Sequence, residues 1–477
     1  MITYQDYEEA AKVSDESKRD FILNAINRHK GSDEYRIALD AEEYDKQQNS
    51  TIMSYIRYMY NALGRKVEDF TASNNKICSN FYHRLNTQRC VYLLGNGVSF
   101  TDHKKESIGG NGQKTVVDET KDKLGRKFDT ALKKGGYNAL KHGVSFGFWN
   151  FDHITFYTLL QFVPFWDEET SDLRGGIKFW QISADKPLMA ILYEEDGYTR
   201  YRMTKEDTRF VEVEKKRGYM LTKTKTRDGG VESADYSNYD SFPIVPLWGS
   251  DLHQSTLVGM KGGIDAYDLV KSGFANDLDD VAQIYWLING GNGMSEADVA
   301  KFRQKLKLNH MAVVDGENSS VTPYTQDIPH TARETFCASI RSQIYEDFGG
   351  LDVHTIAAGA TNDHIDAAYQ PMDEEADDFE YQVTEFIHGI LDLIGVEDNP
   401  TFKRNRISNQ QAQTGMVLSA AEYLDRETIL NKLPFITVDE VAEVIARKDA
   451  EMEQQMEMAQ ALQGGGLGMA EEEPQEE

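Results

Sequence analysis

GIDAYDLVKSGFANDLDDVAQIYWLI, residues 263–288, decides how this chain is read. Tyr267, Phe274, Val281 and Ile288 recur every seventh residue, and Ile264, Leu278 and Tyr285 form a second row that only Lys271 interrupts. The spacing predicts a helix of about seven turns carrying one apolar stripe. Further on, Phe336, Ile340, Ile344 and Phe348 stand four apart and predict a second, shorter helix. Between the two, Gly290-Gly291-Asn292-Gly293 opens a compact insertion. It reads as a small α/β module, with Ser295 capping a helix, Asp298 three residues on, and strands at 311–314 and 321–324 around the Asp315-Gly316 turn. Two helices bracketing an inserted module form the expected skeleton.

N-terminal to that skeleton, residues 1–50 are polar with helical patches at Phe21-Ile22-Leu23 and Ile26, and read as a peripheral helical arm. Ile52, Tyr55, Ile56, Met59, Tyr60 and Leu63 fall at helical spacing. Val91-Tyr92-Leu93-Leu94 leading into Gly95-Asn96-Gly97-Val98 gives a strand-and-turn signal. A helix is expected over 124–142 and a strand over 144–151. From 154 to 225 short apolar runs alternate with turn formers such as Glu195-Asp196-Gly197 and Lys216-Arg217-Gly218, which predicts an antiparallel meander. C-terminal to the skeleton come a glycine- and alanine-rich loop over 349–362 and an acidic helix over 372–394. Pro371 marks the start of that helix, and Phe379, Val383, Phe386, Ile387 and Ile390 share one face. Helices continue to about 460, and the glycine- and glutamate-rich tail has a disordered composition.

Length and an aromatic content of 11% allow several packed domains. The three cysteines show no CxxC spacing and read as idle thiols in a reducing compartment. Neither a membrane-spanning apolar run nor a signal-peptide layout is present, so synthesis and use in the cytoplasm are expected. The net charge of −28 argues against a surface that grips phosphates, but leaves room for nucleic acid as cargo in a repelling tube.

The motifs that imitate enzymes are incomplete. Gly109-Gly110-Asn111-Gly112-Gln113-Lys114-Thr115 resembles a phosphate loop, but Gln113 replaces the glycine needed before the lysine, and a charged run precedes it instead of a buried strand. Ala312-Val313-Val314-Asp315 then has no nucleotide partner. Gly95-Asn96-Gly97-Val98 lacks the third glycine of a dinucleotide fingerprint. His354 with Asp352, and His364 with Asp363 and Asp366, read as surface polar residues, since no further ligands stand at metal-site spacing. No catalytic residue, cofactor or metal is therefore assigned. Two charge features remain. Lys301, Arg303, Lys305 and Lys307 form either a solvated helix face or a docking surface for an acidic partner or a phosphate brush. Residues 366–392 carry nine carboxylates and no Lys or Arg, which is a solvated face in one subunit and a negative lumen around a ring.

In order, these segments resemble the siphovirus-type portal proteins of tailed bacteriophages. The resemblance is carried by Asn74-Asn75-Lys76-Ile77, Asn80-Phe81 and Val91–Asn96. It continues through Val163-Pro164 with Trp166-Asp167, the run 177–182, Phe242–Pro246 before Ile264-Asp265-Ala266-Tyr267, and Phe348-Gly349-Gly350 before the loop and acidic helix. It covers roughly 50–450, and departs where Gly359-Ala360-Thr361-Asn362 stands in place of a Ser-Gly pair.

The resemblance implies an α+β, multidomain portal fold: a peripheral arm at 1–50, an α/β wing at 51–255, stem helices at 256–289 and 330–348, and a small α/β clip at 290–329. A tunnel loop at 349–363, an acidic helix and crown at 364–460 and a tail at 461–477 complete it. It implies a ring of twelve subunits at one capsid vertex of the virion, through which double-stranded DNA is packaged and ejected. Expected partners are the major capsid protein, the terminase motor and head–tail connectors, with no membrane. Docking would fall to Lys301, Arg303, Lys305 and Lys307. Val353, His354, Thr355, Ala358, Thr361 and Asn362 would face DNA, and Asp373, Glu374, Asp377, Asp378 and Glu380 would line the channel. Tyr267, Phe274, Leu278, Val281, Tyr285, Phe336 and Ile340 would pack the stem. The alternatives are another virion structural or adaptor protein, or a packaging NTPase or nuclease, which would need the complete phosphate loop and acidic metal cluster that are missing here.

Overall fold

The computed structural model describes residues 2–60, 63–70, 72–108, 114–225, 231–281, 285–289, 320–324, 330–355, 362–406, 410–433, 435–436 and 438–464. Helix and strand are mixed, as expected of an α+β chain, and the chain divides into two compact units. One comprises 1–42, 84–258 and 348–477; the other comprises 43–83 and 259–347.

The first unit opens with α1 (Tyr4–Val13) and α2 (Asp15–Lys30), capped by the hydroxyls of Thr3 and Ser14. The expectation of a peripheral arm fails here. Ile22 and Ile26 are fully buried and pack with Val163, Phe165, Ile177 and Leu192, because α1 and α2 cover one face of a sheet. α3 (Asp33–Asp45) runs across the sequence boundary at residue 42, and α4 (Ser50–Met53) belongs to the second unit. After α4, the residues expected at helical spacing instead give β1 (Tyr58–Tyr60) paired with β2 (Lys66–Glu68), a hairpin in the second unit. Val91–Leu94, expected as a strand, closes α5 (Phe81–Leu94). A four-residue apolar run suits a buried helical turn as well as a strand, and here Leu93 and Leu94 point into a helical core.

Next come β3 (Val98–Phe100), the hairpin β4 (Lys104–Ile108) with β5 (Lys114–Asp118), α6 (Glu119–Leu124) and α7 (Phe128–His142). Then β6 (Val144–Trp149) pairs with β7 (Ile154–Thr158). The meander itself is β8 (Phe162–Trp166), β9 (Leu173–Trp180), β10 (Leu188–Glu194), β11 (Gly197–Met203) and β12 (Val211–Arg217), neighbours in sequence order. The last expected strand leaves it: β13 (Met220–Lys225) pairs with β14 (Val231–Ser237). β15 (Ile244–Trp248) then joins β6.

Burial on both faces explains the near-continuous apolar run of β10. Ala190 and Leu192 enter the cluster under α1 and α2, whereas Ile191 and Tyr193 enter a second cluster with Phe146, Tyr157, Phe162 and Ile244. A third core forms where α7 and the long acidic helix meet, through Leu132, Leu140, Phe379, Val383, Phe386, Ile387 and Ile390.

The second unit contains most of α8 (Leu257–Val281), β16 (Tyr285–Asn289), β17 (Ser320–Tyr324) and α9 (His330–Phe348) up to Asp347. The helix expected to run to Ile288 ends at Val281, and Tyr285 to Asn289 pair antiparallel with 320–324. Tyr-Trp-Leu-Ile is rich in strand-forming residues, and its heptad agreement with the helix is a coincidence of spacing. The long acidic helix, α10, spans Asn362–Ile394, so Pro371 lies inside it and does not start it. Ile365, Tyr369, Met372 and Ala376, on both sides of the proline, pack against Tyr92 and Leu351, and this burial offsets the missing backbone hydrogen bond. Beyond it are β18 (Pro400–Phe402), paired with β3, then α11 (Gln410–Ser419), α12 (Arg426–Lys432) and α13 (Val438–Gly464). Among the described residues, no helix is long and apolar enough to cross a membrane.

Candidate functional site

In the first unit, Gln88 and Arg89 of α5 hold the segment that leaves α9, and Tyr92 of α5 meets α10. The Gln88 amide holds Leu351 twice: its Nε2 donates to the Leu351 carbonyl at 3.0 Å, and its Oε1 accepts the Leu351 N–H at 3.1 Å. Arg89 donates to the Phe348 carbonyl and pairs with Glu375 at 3.0 Å, its guanidinium 4.0 Å from the Phe348 ring centroid. Tyr92 donates to Asp373 at 2.5 Å and accepts from Arg406 at 2.8 Å. Between Phe348 and Leu351 the chain turns at Gly349, with φ of +65°. A Cβ there would sit 2.6 Å from Glu375 Cγ and 3.0 Å from the Pro371 carbonyl oxygen, so the position accepts only glycine without displacement.

Several carboxylates of α10 are partnered within the subunit. Arg404 spans Asp373 at 2.9 Å, Asp377 and Glu380 at 3.0 Å, and Arg406 spans Asp366 at 3.4 Å and Asp373. Asp378 accepts the Asp251 N–H at 3.1 Å, and Glu374 accepts from Gln370 at 3.3 Å. Burial works against charge on Asp373, but hydrogen bonds from Tyr92, Arg406 and Arg404 outweigh it and hold the carboxyl below its usual range. Burial and the bond to Asp373 push the Tyr92 phenol up to about 12. Neither arginine carries a signal in the sequence near the carboxylates it neutralises.

In the second unit, α8 presents a polar row that the apolar stripe did not reveal. The Asn75, Ile77 and Ser79 N–H groups donate to Asn276 Oδ1 at 2.6 Å, Ser272 Oγ at 2.9 Å and Asp268 Oδ1 at 2.9 Å. Asn75 Nδ2 reaches Asp279 at 2.5 Å, and Asn49 donates to Asp268. Alternate residues of 72–80 thus meet successive turns of one helix face. Burial lifts the Asp268 carboxyl above its usual range, against hydrogen bonds from Asn49 and Ser79 that lower it.

These two carboxylates predict opposite pH responses. Asp268, with its raised folded value, contributes stability that is complete below the unfolded value of 3.8 and is lost as pH rises through the folded one. Asp373, with its depressed folded value, contributes stability present above 3.8 and lost as pH falls through the folded one. Segment-resolved hydrogen exchange across pH 3–6 should show the 72–80 contacts tightening on acidification while those of 404–406 loosen. In D268N and D373N the respective trend should vanish; a trend that survives the substitution would assign it to another group.

The other expected site residues are dispersed. Tyr267 stacks edge-on with Phe81 at 5.0 Å, Phe274 meets His330 at 5.5 Å, and Ile340 is buried. Leu278 and Phe336 are about half exposed, Val281 ends α8, and Tyr285 pairs with Tyr324 on a strand. Val353 and His354 are exposed in a short 3-10 turn that includes Thr355, and the His354 N–H donates to Asp352. Asn362 is the first residue of α10. Ala358, Thr361, Lys301, Arg303, Lys305 and Lys307 lie outside the described residues.

Comparison with known proteins identifies relatives. A family model described as "Phage portal protein, SPP1 Gp6-like" matches residues 36–457. The portal protein of Bacillus phage SPP1 is 24% identical over 457 residues, covering 88% of this chain and 85% of its own. The portal protein of Clostridium phage phiCD119 is 26% identical over 215 residues, covering 43% of this chain and 48% of its own.

Proposed function

Because the chain belongs to the SPP1 Gp6-like family of phage portal proteins, we propose that its segment after Phe348 faces the DNA that the portal passes. The chain is a structural component of the virion that serves DNA packaging, and its family implies a capsid-associated ring. The finer reading is twelve subunits, with a wing at 51–255 towards the major capsid protein, a stem of 256–289 and 330–348, and a clip at 290–329. The clip would dock the terminase and then the connectors through Lys301, Arg303, Lys305 and Lys307. DNA would move through the ring in both packaging and ejection, and ATP chemistry would belong to the docked motor.

The observation that carries the loop assignment is the clamp at its root. Gln88, Arg89 and Leu351 fix 348–351, while Val353 and His354 immediately beyond are exposed. A fixed root followed by exposed Val353 and His354, neither a Lys nor an Arg, suits a contact that must touch moving duplex without binding it, because each phosphate contact adds affinity and therefore friction. The intrasubunit pairing of Asp373, Asp377 and Glu380 favours Glu374 and the outer carboxylates as the ones left to present negative charge to the channel.

Deleting 352–360 should leave rings intact, as seen by native mass and negative-stain images, and impair DNA loading or retention. Particles of the deletion variant that fill and hold DNA normally would remove the loop assignment. Reversing Lys301, Arg303, Lys305 and Lys307 together should abolish motor or connector docking while rings persist. Unaltered packaging in that variant would remove the docking assignment.

A further inference from the structure

Arg89 is the most deeply buried charge near the loop root, with its side chain only 7% exposed. Burial pulls its pKa down, so the fold keeps a desolvated cation here against a tendency to exclude it. One partner is the half-exposed carboxylate of Glu375 on α10, and the other is the backbone carbonyl of Phe348, the residue from which the loop departs. Simple packing would not need this arrangement, since an apolar side chain of similar volume fills such a space without the desolvation cost. What the guanidinium adds is a flat fork that addresses two separate segments in fixed directions, with its Cζ 4.0 Å over the Phe348 ring. Gly349, tight against Glu375 and Pro371, leaves the root little alternative path.

We infer that Arg89 is a positioning residue that fixes the loop root at Phe348–Leu351 against α10, and through it sets how the following segment meets DNA. This rests on the loop assignment proposed above. Its chemistry is that of a bracket: Nη2 holds the carbonyl, Nη1 holds Glu375, and Gln88 one residue earlier holds both backbone groups of Leu351. Lysine at this site would keep the charge, but its donors radiate from a single nitrogen on a flexible stem, without the fixed two-nitrogen fork or a plane to lay on the Phe348 ring.

The test compares the full-length parent with R89K and R89M, by hydrogen exchange at the Leu351–Thr355 amides and by DNA content of particles. R89K should retain its melting transition and ring, exchange at Leu351 about tenfold faster, and hold less DNA than the parent. R89M should show the same changes more strongly; if it fails to fold, R89K alone carries the test. Parental exchange rates in R89K would overturn the inference. So would faster exchange with parental DNA content, provided the 352–360 deletion does impair DNA handling. If that deletion handles DNA normally, the loop assignment falls instead, and the exchange rates still decide whether Arg89 positions the root.

Discussion

Replacing Phe386 with alanine should lower the stability of the first unit by about 3–5 kcal/mol, the range for emptying a buried aromatic site. The ring is almost fully buried in the core between α7 and α10, and lies 5.3 Å from the Phe156 ring. Its neighbourhood is built around its size: a Cβ on Gly147 would stand 2.6 Å from its tip, so β6 uses glycine where the ring enters. Strand and helix backbones surround the vacated volume, and collapse around it would require the sheet to shift. Denaturant titration of the isolated protein, followed by a probe in the first unit, measures the effect. A loss below about 1 kcal/mol would mean that the core repacks and the ring is not its keystone.

The second large effect is expected at Asp268. D268L strips the acceptor from the Ser79 N–H and one of two acceptors from the almost wholly buried Asn49 amide, which keeps only the Ser79 carbonyl at 3.3 Å, at a cost of about 2–4 kcal/mol. Part of that loss is offset, because burial already disfavours the carboxylate. The lost hydrogen bonds should nonetheless win, since leucine offers no oxygen in their place. D268N retains one oxygen for Ser79 and should cost about 1 kcal/mol or less. Exchange at the Ile77 and Ser79 amides reports the contact directly. If D268L protects those amides as well as the parent does, the helix face does not hold the segment.

Much of the fold was legible because its signals were local. Turn formers such as Glu195-Asp196-Gly197 separate the meander strands, and β10 and β11 exchange hydrogen bonds in the register this turn dictates. The apolar face of Phe379, Val383, Phe386, Ile387 and Ile390 marks α10 correctly. Errors arose where tertiary contact decides between local options. Tyr285 fits the heptad of α8 but pairs with Tyr324, and Pro371 looks like a start signal but is carried inside a helix by packing on either side. At the site, the carboxylates of 373–380 stood out, whereas Arg404 and Arg406, which neutralise several of them, are distant in sequence and invisible to any window. Asp268, Ser272 and Asn276 were discoverable, being polar residues four apart beside an apolar stripe. What hid them was the unseen partner, since a polar helix row ordinarily faces water.

That row has a further consequence, which is one of commensurability. Four helical residues advance about 6.0 Å, whereas two residues of an extended chain advance about 6.6 Å. The contacts at 268, 272 and 276 therefore behave like the marks of a vernier, each drifting by about 0.6 Å from its counterpart. Over three marks the drift stays within hydrogen-bond tolerance; over many it would not. Past the last mark at Asn276, Asp279 is met by the side chain of Asn75 and not by another backbone group. The fit thus carries its own ruler. A one-residue slip of the segment would turn the intervening N–H groups away from the helix, so its position along α8 is set without a complementary apolar surface.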